Sequence, residues 1–261
     1  MRTLIAVPVY NEQRYVASVL EQVLVQLESM APSCASAVLC IDDGSTDATP
    51  MLLSQFPVEV IRHATNRGYG RSMQDAFRWA AVDRFDWVIT MDCDEQHEPE
   101  EIPAFVRAIA EDDADVISGS RYLDESDAGC RPPADRRAIN QTITAELNER
   151  LGLGLTDGFC GFKAYRVEAV NKLLLCEDGY AFPMQFWVQA VASGLRIKEH
   201  PIKLIYNDLS RTFGGPLDVA ESRLAHYRRV LHAELDRCAD RLPEGATGEL
   251  VATAADGCQG R

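Results

Sequence analysis

The sequence predicts an α/β fold, a mostly parallel sheet flanked by helices, and two observations carry that expectation. Short apolar runs alternate with stretches whose apolar residues recur at helical spacing, the rhythm of a parallel sheet with helices on both faces. The polar, chemistry-bearing clusters fall directly after the apolar runs, at the carboxyl ends of the expected strands, where open α/β sheets bind ligands.

Leu4 to Val7 is the first expected strand, followed by Val16, Val19, Leu20, Val23, Leu24 and Leu27 at helical spacing. Ala37 to Ile41 is the second. Asp42-Asp43-Gly44-Ser45 ends it, and Ser45 or Thr46 is suited to cap a helix through Leu53. Val58 to Ile61 is the third strand, with Gly68 and Gly70 leading into a helix around Met73 to Ala81. Trp87 to Met91 is the fourth, Pro99 opens the next helix, and Asp115 to Ser118 is the fifth strand. The second half is less regular. Cys130 to Asp135 holds two prolines and reads as a loop; Ala138 to Leu151 reads as a helix, Phe159 to Tyr165 as a strand, Met184 to Ala192 as a helix and Ile197 to Tyr206 as an extended segment. Leu217, Ala220, Leu224, Tyr227, Leu231 and Leu235 make one apolar helical face expected to dock on the domain, with Arg223, Arg228, Arg229 and Arg237 mostly elsewhere.

Of 261 residues, 46% are hydrophobic, enough for a sizeable core. The net charge of -14 argues against a nucleic-acid partner and against nonspecific adhesion to anionic lipid, yet allows a local basic pocket. The eight cysteines include no Cys-x-x-Cys pair, which disfavours a zinc ribbon. No signal-peptide pattern opens the chain and no run approaches the roughly 20 apolar residues of a membrane span, so a cytoplasmic protein with reduced thiols is expected.

Four loops are expected along one sheet edge: Val7-Pro8-Val9-Tyr10-Asn11-Glu12, Ile41-Asp42-Asp43-Gly44-Ser45-Thr46-Asp47, Asp92-Cys93-Asp94-Glu95-Gln96 and Gly119-Ser120-Arg121-Tyr122. Alternate residues on a strand share a face, so Asp92 and Asp94 can project together as two hard oxygen ligands for Mg²⁺ or Mn²⁺, with phosphate oxygens completing the shell. Taken alone, the same acids also suit a solvated loop that caps the following helix. The first loop lacks Gly-x-Gly-x-x-Gly and is not a dinucleotide turn. Pro8 and Tyr10 instead offer a rigid turn and an aromatic face for a base, and Glu12 an acceptor for a ribose hydroxyl. Asp43 can accept from a base N–H, although Asp-Gly-Ser is also strong turn chemistry. Arg121 follows a strand directly, Arg136 and Arg137 open a helix, and Arg211 lies in a polar loop ending at Gly214-Gly215. Their guanidinium forks match phosphate oxygens, the bland alternative being surface ion pairs.

Together the first three motifs, with His97 after Gln96, resemble family 2 glycosyltransferases of the GT-A (Rossmann-like) fold. Asp92-x-Asp94-x-Gln96-His97, Gly119-Ser120-Arg121-Tyr122 and the stretch from Asp157 to Arg166 are similar to dolichyl-phosphate mannose synthases and their polyprenyl-phosphate relatives. The resemblance implies inverting transfer of a hexose from a nucleotide-diphosphate sugar of the GDP-mannose or UDP-glucose type to a polyprenyl or dolichyl phosphate. It implies Pro8, Tyr10, Glu12, Ile41 and Asp43 at the nucleoside, and Asp92, Asp94 and Gln96 at Mg²⁺ or Mn²⁺ and, through it, the diphosphate. It further implies Arg211 at the donor diphosphate and Arg121 with Arg136 or Arg137 at the acceptor phosphate, so that Asp94, Arg121 and Arg211 form the catalytic set. The expected organisation is a GT-A catalytic domain over 1–215, an amphipathic C-terminal helix over 216–241 and a disordered tail over 242–261. A cytoplasmic enzyme of this type reaches its lipid peripherally, at the inner face of the membrane.

One departure bears on the acceptor. Many family members acting on hydroxyl acceptors carry an acidic general base where this chain has Gln185, in Phe182-Pro183-Met184-Gln185-Phe186-Trp187. An amide takes no proton at neutral pH, and an ionised phosphate acceptor needs no base. Asp157 and Asp178 remain as alternative bases for a soluble hydroxyl acceptor, and a nucleotide-sugar-binding protein without turnover is the non-enzymatic alternative.

Overall fold

The computed structural model describes residues 1–29, 35–123, 132–205 and 212–248. The chain runs β1 (Arg2–Val9), α1 (Val16–Ser29), β2 (Ala35–Asp42), α2 (Thr49–Leu53), β3 (Glu59–Arg62), α3 (Tyr69–Val82), β4 (Trp87–Thr90), α4 (Ile102–Ala110), β5 (Val116–Ser120), α5 (Ala134–Leu151), β6 (Lys163–Arg166), α6 (Val167–Val170), α7 (Phe182–Ala192), β7 (Ile197–Pro201) and α8 (Ala220–Cys238), with short 3₁₀ turns between. The strands form one sheet in the order β3-β2-β1-β4-β6-β5-β7. β6 runs antiparallel to both its neighbours; the other pairings are parallel.

β1 and β4 are buried at nearly every position, as strands covered on both faces must be. One layer packs α3, α5, α7 and α8 over one face around Trp187, Phe182 and Phe186; the other packs α1 and α4 around Leu20 and Phe105. Each such buried side chain contributes about 1.5–3 kcal/mol of apolar transfer.

Sheet order places the site. From β1 the chain moves one way to β2 and β3 and then returns to the other side for β4, so the loops after β1 and β4 diverge around a crevice. Because β6 is antiparallel to β4, with Thr90 opposite Lys163, the loop that enters β6 lies at the edge where β4 ends.

Several local expectations are revised. β6 begins at Lys163 rather than Phe159, because the preceding chain bends at Gly158 and Gly161 on its way into the strand. α5 begins at Ala134, directly after Pro132-Pro133, so Arg136 and Arg137 lie inside its first turns. The expected extended segment from Ile197 is a strand only to Pro201, and Tyr206 lies outside the described residues. Ser45 and Thr46 do not cap α2. Ser45 Oγ instead accepts the Asn11 N–H at 2.9 Å, and Asp47 accepts the N–H groups of Gln13 and Thr49.

The C-terminal helix docks on α7 and α5, with Tyr227, Leu231 and Leu235 buried. Residues 242–248, assigned by sequence to the tail, instead hold a turn: Arg150 donates to the Ala246 and Gly248 carbonyls at 2.9 Å each, and Ala246 is buried. Residues 249–261 lie outside the described residues.

Candidate active site

The loops after β1, β2, β3, β4 and β5 surround one cleft of about 420 Å³ at the carboxyl edge of the sheet. Pro8, Tyr10, Glu12, Asp43, Asp92, Asp94, Gln96, Arg121 and Arg136 all line it. Ile41 does not: its side chain is fully buried in the core beneath the loop. Arg137 stacks over the Tyr122 ring, 3.5 Å from its centroid, rather than facing the cleft. Arg211 lies outside the described residues.

The acids and the arginines of the cleft wall come from different elements. Its acids are Glu12, Asp43, Asp92 and Asp94, from the β1, β2 and β4 loops; its arginines are Arg121, Arg136 and Arg223, from the β5 loop, α5 and α8.

On the loops after β1 and β2, Asn11 takes a left-handed φ of 56° and couples the two, its side-chain oxygen accepting the Thr46 N–H at 2.8 Å. Glu12 is fixed at its backbone by Thr49 Oγ1 at 2.8 Å. Asp43 is buried, yet it lines the cleft. Its carboxylate accepts the N–H groups of Arg67 and Gly68 at 2.8 Å each and bonds His63 Nδ1 at 2.7 Å, while His63 Nε2 bonds Asp75 at 3.0 Å. Three of roughly four acceptor positions are therefore filled, leaving one for a ligand. Gly68, at φ 100°, allows the β3 loop to approach the Asp178 backbone; a Cβ there would lie 2.3 Å from its carbonyl oxygen.

The acidic pair follows β4. Asp92 receives its position from His97, whose Nδ1 accepts the Asp92 backbone N–H at 3.0 Å. Burial pushes the His97 imidazole down to about 4, against the opposing pull of Asp92, so it is neutral at pH 7. Glu95 turns the chain with φ 57°, and Asp94 Oδ1 accepts the Gln96 N–H at 3.1 Å. The Asp92 carboxylate lies against Gly161; a Cβ there would sit 2.6 Å from each of its oxygens. Among the described residues no cluster of three or more His, Cys, Asp or Glu side chains is set to hold a metal. Two carboxylates and the Gln96 amide are a hard, partial donor set, which fits Mg²⁺ or Mn²⁺ sharing its shell with phosphate oxygens and water.

The loop entering β6 reaches both Asp92 and Arg121. Gly161 flanks Asp92, and the Cys160 thiol lies 3.9 Å from His97 Nε2. Asp157 forms a two-point pair with Arg121, Oδ2 to Nε at 2.6 Å and Oδ1 to Nη2 at 3.0 Å, and also accepts from Asn140 at 2.8 Å. Burial disfavours the Asp157 anion, but the Arg121 charge and these hydrogen bonds prevail and hold its carboxyl well below the usual carboxylate range. A carboxylate so held is a poor proton acceptor. Asp178, the other alternative base, is not on the cleft wall and accepts from Gln74 at 3.3 Å. Lys163 is buried beneath the loop and donates to the Cys160 carbonyl; burial pushes its ammonium pKa down.

Among the wall residues that sequence reasoning missed are Asn66 and Tyr69 after β3, Tyr180 before α7, and Arg223 on α8. Gly68 and Gly70 were the available signal for the β3 loop. Arg223 gave none, since its placement depends on how α8 docks.

The architecture matches solved GT-A enzymes. Glucosyl-3-phosphoglycerate synthase from Mycobacterium tuberculosis, in complex with Mn²⁺, uridine diphosphate and glucosyl-3-phosphoglycerate, superposes with a TM-score of 0.66 over 91% of this chain and 80% of that one. At 18% identity that likeness defines the fold, GT-A, and no more. The glycosyl transferase family 2 model matches residues 4–174, and the chain belongs to that family of enzymes. Undecaprenyl-phosphate mannosyltransferase of Micrococcus luteus is 31% identical over 225 residues, covering 82% of this chain and 89% of the relative. Polyprenol monophosphomannose synthase of Mycolicibacterium smegmatis is 27% identical over 248 residues, covering 90% and 89%. Among the described residues no helix is long and apolar enough to cross a membrane.

Proposed function

We propose that this family 2 glycosyltransferase transfers a hexose, with inversion, from a nucleotide-diphosphate sugar to a polyprenyl phosphate, using Mg²⁺ or Mn²⁺. The observation that carries the reading is that one cleft is lined both by acids from the β1, β2 and β4 loops and by arginines from the β5 loop, α5 and α8. The acids suit a metal-bound diphosphate; the arginines suit a second phosphate, that of the acceptor. The similarity to undecaprenyl-phosphate and polyprenol enzymes supports the same acceptor class.

Pro8, Tyr10, Glu12 and Asp43 hold the nucleoside, and Asp92, Asp94 and Gln96 hold the cation. When bound, that cation supplies neutralisation of the charge that gathers on the departing diphosphate. Arg121, fixed by Asp157, and Arg136 orient the acceptor phosphate so that one oxygen faces the anomeric carbon. That oxygen is already ionised, so no side chain need remove a proton. Gln185 and the paired Asp157 are consistent with this, since neither serves as a base. Arg211 remains assigned to the donor diphosphate. The enzyme works from the aqueous side of the membrane, meeting its lipid peripherally.

The test is release of nucleoside diphosphate from GDP-mannose and UDP-glucose with Mn²⁺ or Mg²⁺, with and without a short polyprenyl phosphate in detergent. Release that needs both the lipid and the metal is expected. Equal release with a soluble hydroxyl acceptor and none with the lipid would overturn the acceptor assignment, and binding without release from any donor would return the chain to a binding role.

A further inference from the structure

His63 follows β3 directly and is buried, its backbone N–H donating to the Asp42 carbonyl at 2.9 Å. Its ring stands between two carboxylates, with Nδ1 2.7 Å from Asp43 Oδ1 and Nε2 3.0 Å from Asp75 Oδ2. Asp75 is anchored on α3 by Arg71 at 2.8 Å and Arg78 at 2.9 Å, so the ring is held from both sides. A carboxylate oxygen only accepts, so Nδ1 donates to Asp43. The Arg67 N–H donates to the same oxygen, Oδ1, at 2.8 Å, and the Gly68 N–H donates to Oδ2 at 2.8 Å. With about two acceptor positions on each oxygen, Oδ1 is full and Oδ2 keeps one.

That count bears on which base Asp43 can read. Uracil offers one donor on its pairing edge, the N3–H, flanked by two carbonyls. Guanine offers two side by side, N1–H and N2–H, which a carboxylate matches with one free position on each oxygen. Here the second guanine donor meets an oxygen already taken, and a donor left unmet in a buried contact weakens binding. Cytosine and adenine set a ring-nitrogen lone pair beside their amino group, which a carboxylate repels. Asn66 lies on the cleft wall against Gly44, next to Asp43, and its amide can donate to a uracil carbonyl.

We infer that His63 determines the base specificity of the donor site: it fills Asp43 Oδ1, leaves that carboxylate a single acceptor, and so selects a uracil nucleotide over a guanine one. The inference rests on the reading of Asp43 as a nucleoside contact and names the base it takes. His63 acts through Asp43 and is a positioning residue.

The experiment uses the full chain with Mn²⁺ and measures binding of UDP, GDP, CDP and ADP by calorimetry. UDP is expected to bind about tenfold or more tightly than each of the others, the worth of one unmet or repelled hydrogen-bonding group. His63→Leu removes the donor to Oδ1 and should narrow the UDP-to-GDP ratio about fivefold or more, whereas His63→Asn, whose amide reaches the Nδ1 position, should keep it within about twofold of wild type. GDP bound as tightly as UDP, or more so, overturns the inference and leaves the donor-site reading standing, since a nucleoside diphosphate still binds. A ratio unchanged in His63→Leu overturns it too, whether both affinities hold or fall together, as a merely structural residue would give. Should His63→Leu fail to fold, His63→Gln, whose amide reaches toward Asp75 rather than Asp43, carries the same comparison. If none of these nucleotides binds, the donor-site reading falls and the inference with it.

Discussion

Gln185 on α7 donates from Nε2 to the buried Glu234 carboxylate on α8 at 3.0 Å. Its Oε1 accepts the backbone N–H groups of Cys176 and Glu177 at 2.7 and 2.8 Å, and Gln189 adds a second amide to Glu234 at 2.8 Å. The position at which the resemblance expects a general base is therefore a tie between helices. An amide suits it because it must both donate and accept. Gln185→Glu sets two carboxylates against each other in a buried site, and a loss of about 2–4 kcal/mol of stability is expected. Thermal unfolding measures it, with transfer to a panel of hydroxyl acceptors followed in parallel. A stable variant that gains hydroxyl transfer would refute the structural role.

Gly161→Ala addresses the acidic pair without touching a carboxylate. The added methyl would lie 2.6 Å from both Asp92 oxygens, so the carboxylate must move. Because the clash is with the end of a side chain, the fold should survive while Mn²⁺ affinity, read by electron paramagnetic resonance with nucleoside diphosphate present, falls about tenfold or more. Wild-type affinity would remove Asp92 from the metal site.

Asp94→Ala should lower metal-dependent turnover by at least about a hundredfold with an unchanged circular dichroism spectrum. Turnover and metal dependence like wild type would break the assignment.

Arg136 and Arg137 are neighbours in sequence with different surroundings, one on the cleft and one stacked over Tyr122. Arg136→Ala is expected to raise the acceptor KM about tenfold or more, and Arg137→Ala by less than about threefold. The reverse order would reassign the phosphate contact.

The Asp157–Arg121 pair predicts a pH dependence. Asp157 has a carboxyl pKa held below its unfolded value of about 3.9, so its contribution is fully present above that value. It declines as pH falls below about 4, toward the folded-state pKa. Asp157→Asn should therefore be less stable than wild type from pH 5 to 7, with the gap narrowing toward pH 3. Urea unfolding across that range measures it, and a gap that widens with acid would contradict the pairing.

The sequence by itself determined the alternation of strands and helices, because burial on two faces writes apolar runs and burial on one face writes helical spacing. It also determined which residues line this edge of the cleft, since Pro8 lies at the carboxyl end of β1 and Glu12, Asp43, Asp92 and Asp94 fall in the loops just after β1, β2 and β4, and a parallel sheet leaves them little choice of edge. Tertiary structure alone decided what depends on residues distant in the chain. β6 is inserted antiparallel between β4 and β5, which brings Asp157 to Arg121 across 36 positions and Gly161 to Asp92. Docking of α8 turned Arg223 from one more surface charge into part of the cleft wall, and turned Gln185 from an apparent missing base into a structural tie. No local pattern records such contacts, because the energy that fixes them comes from packing whole elements against one another.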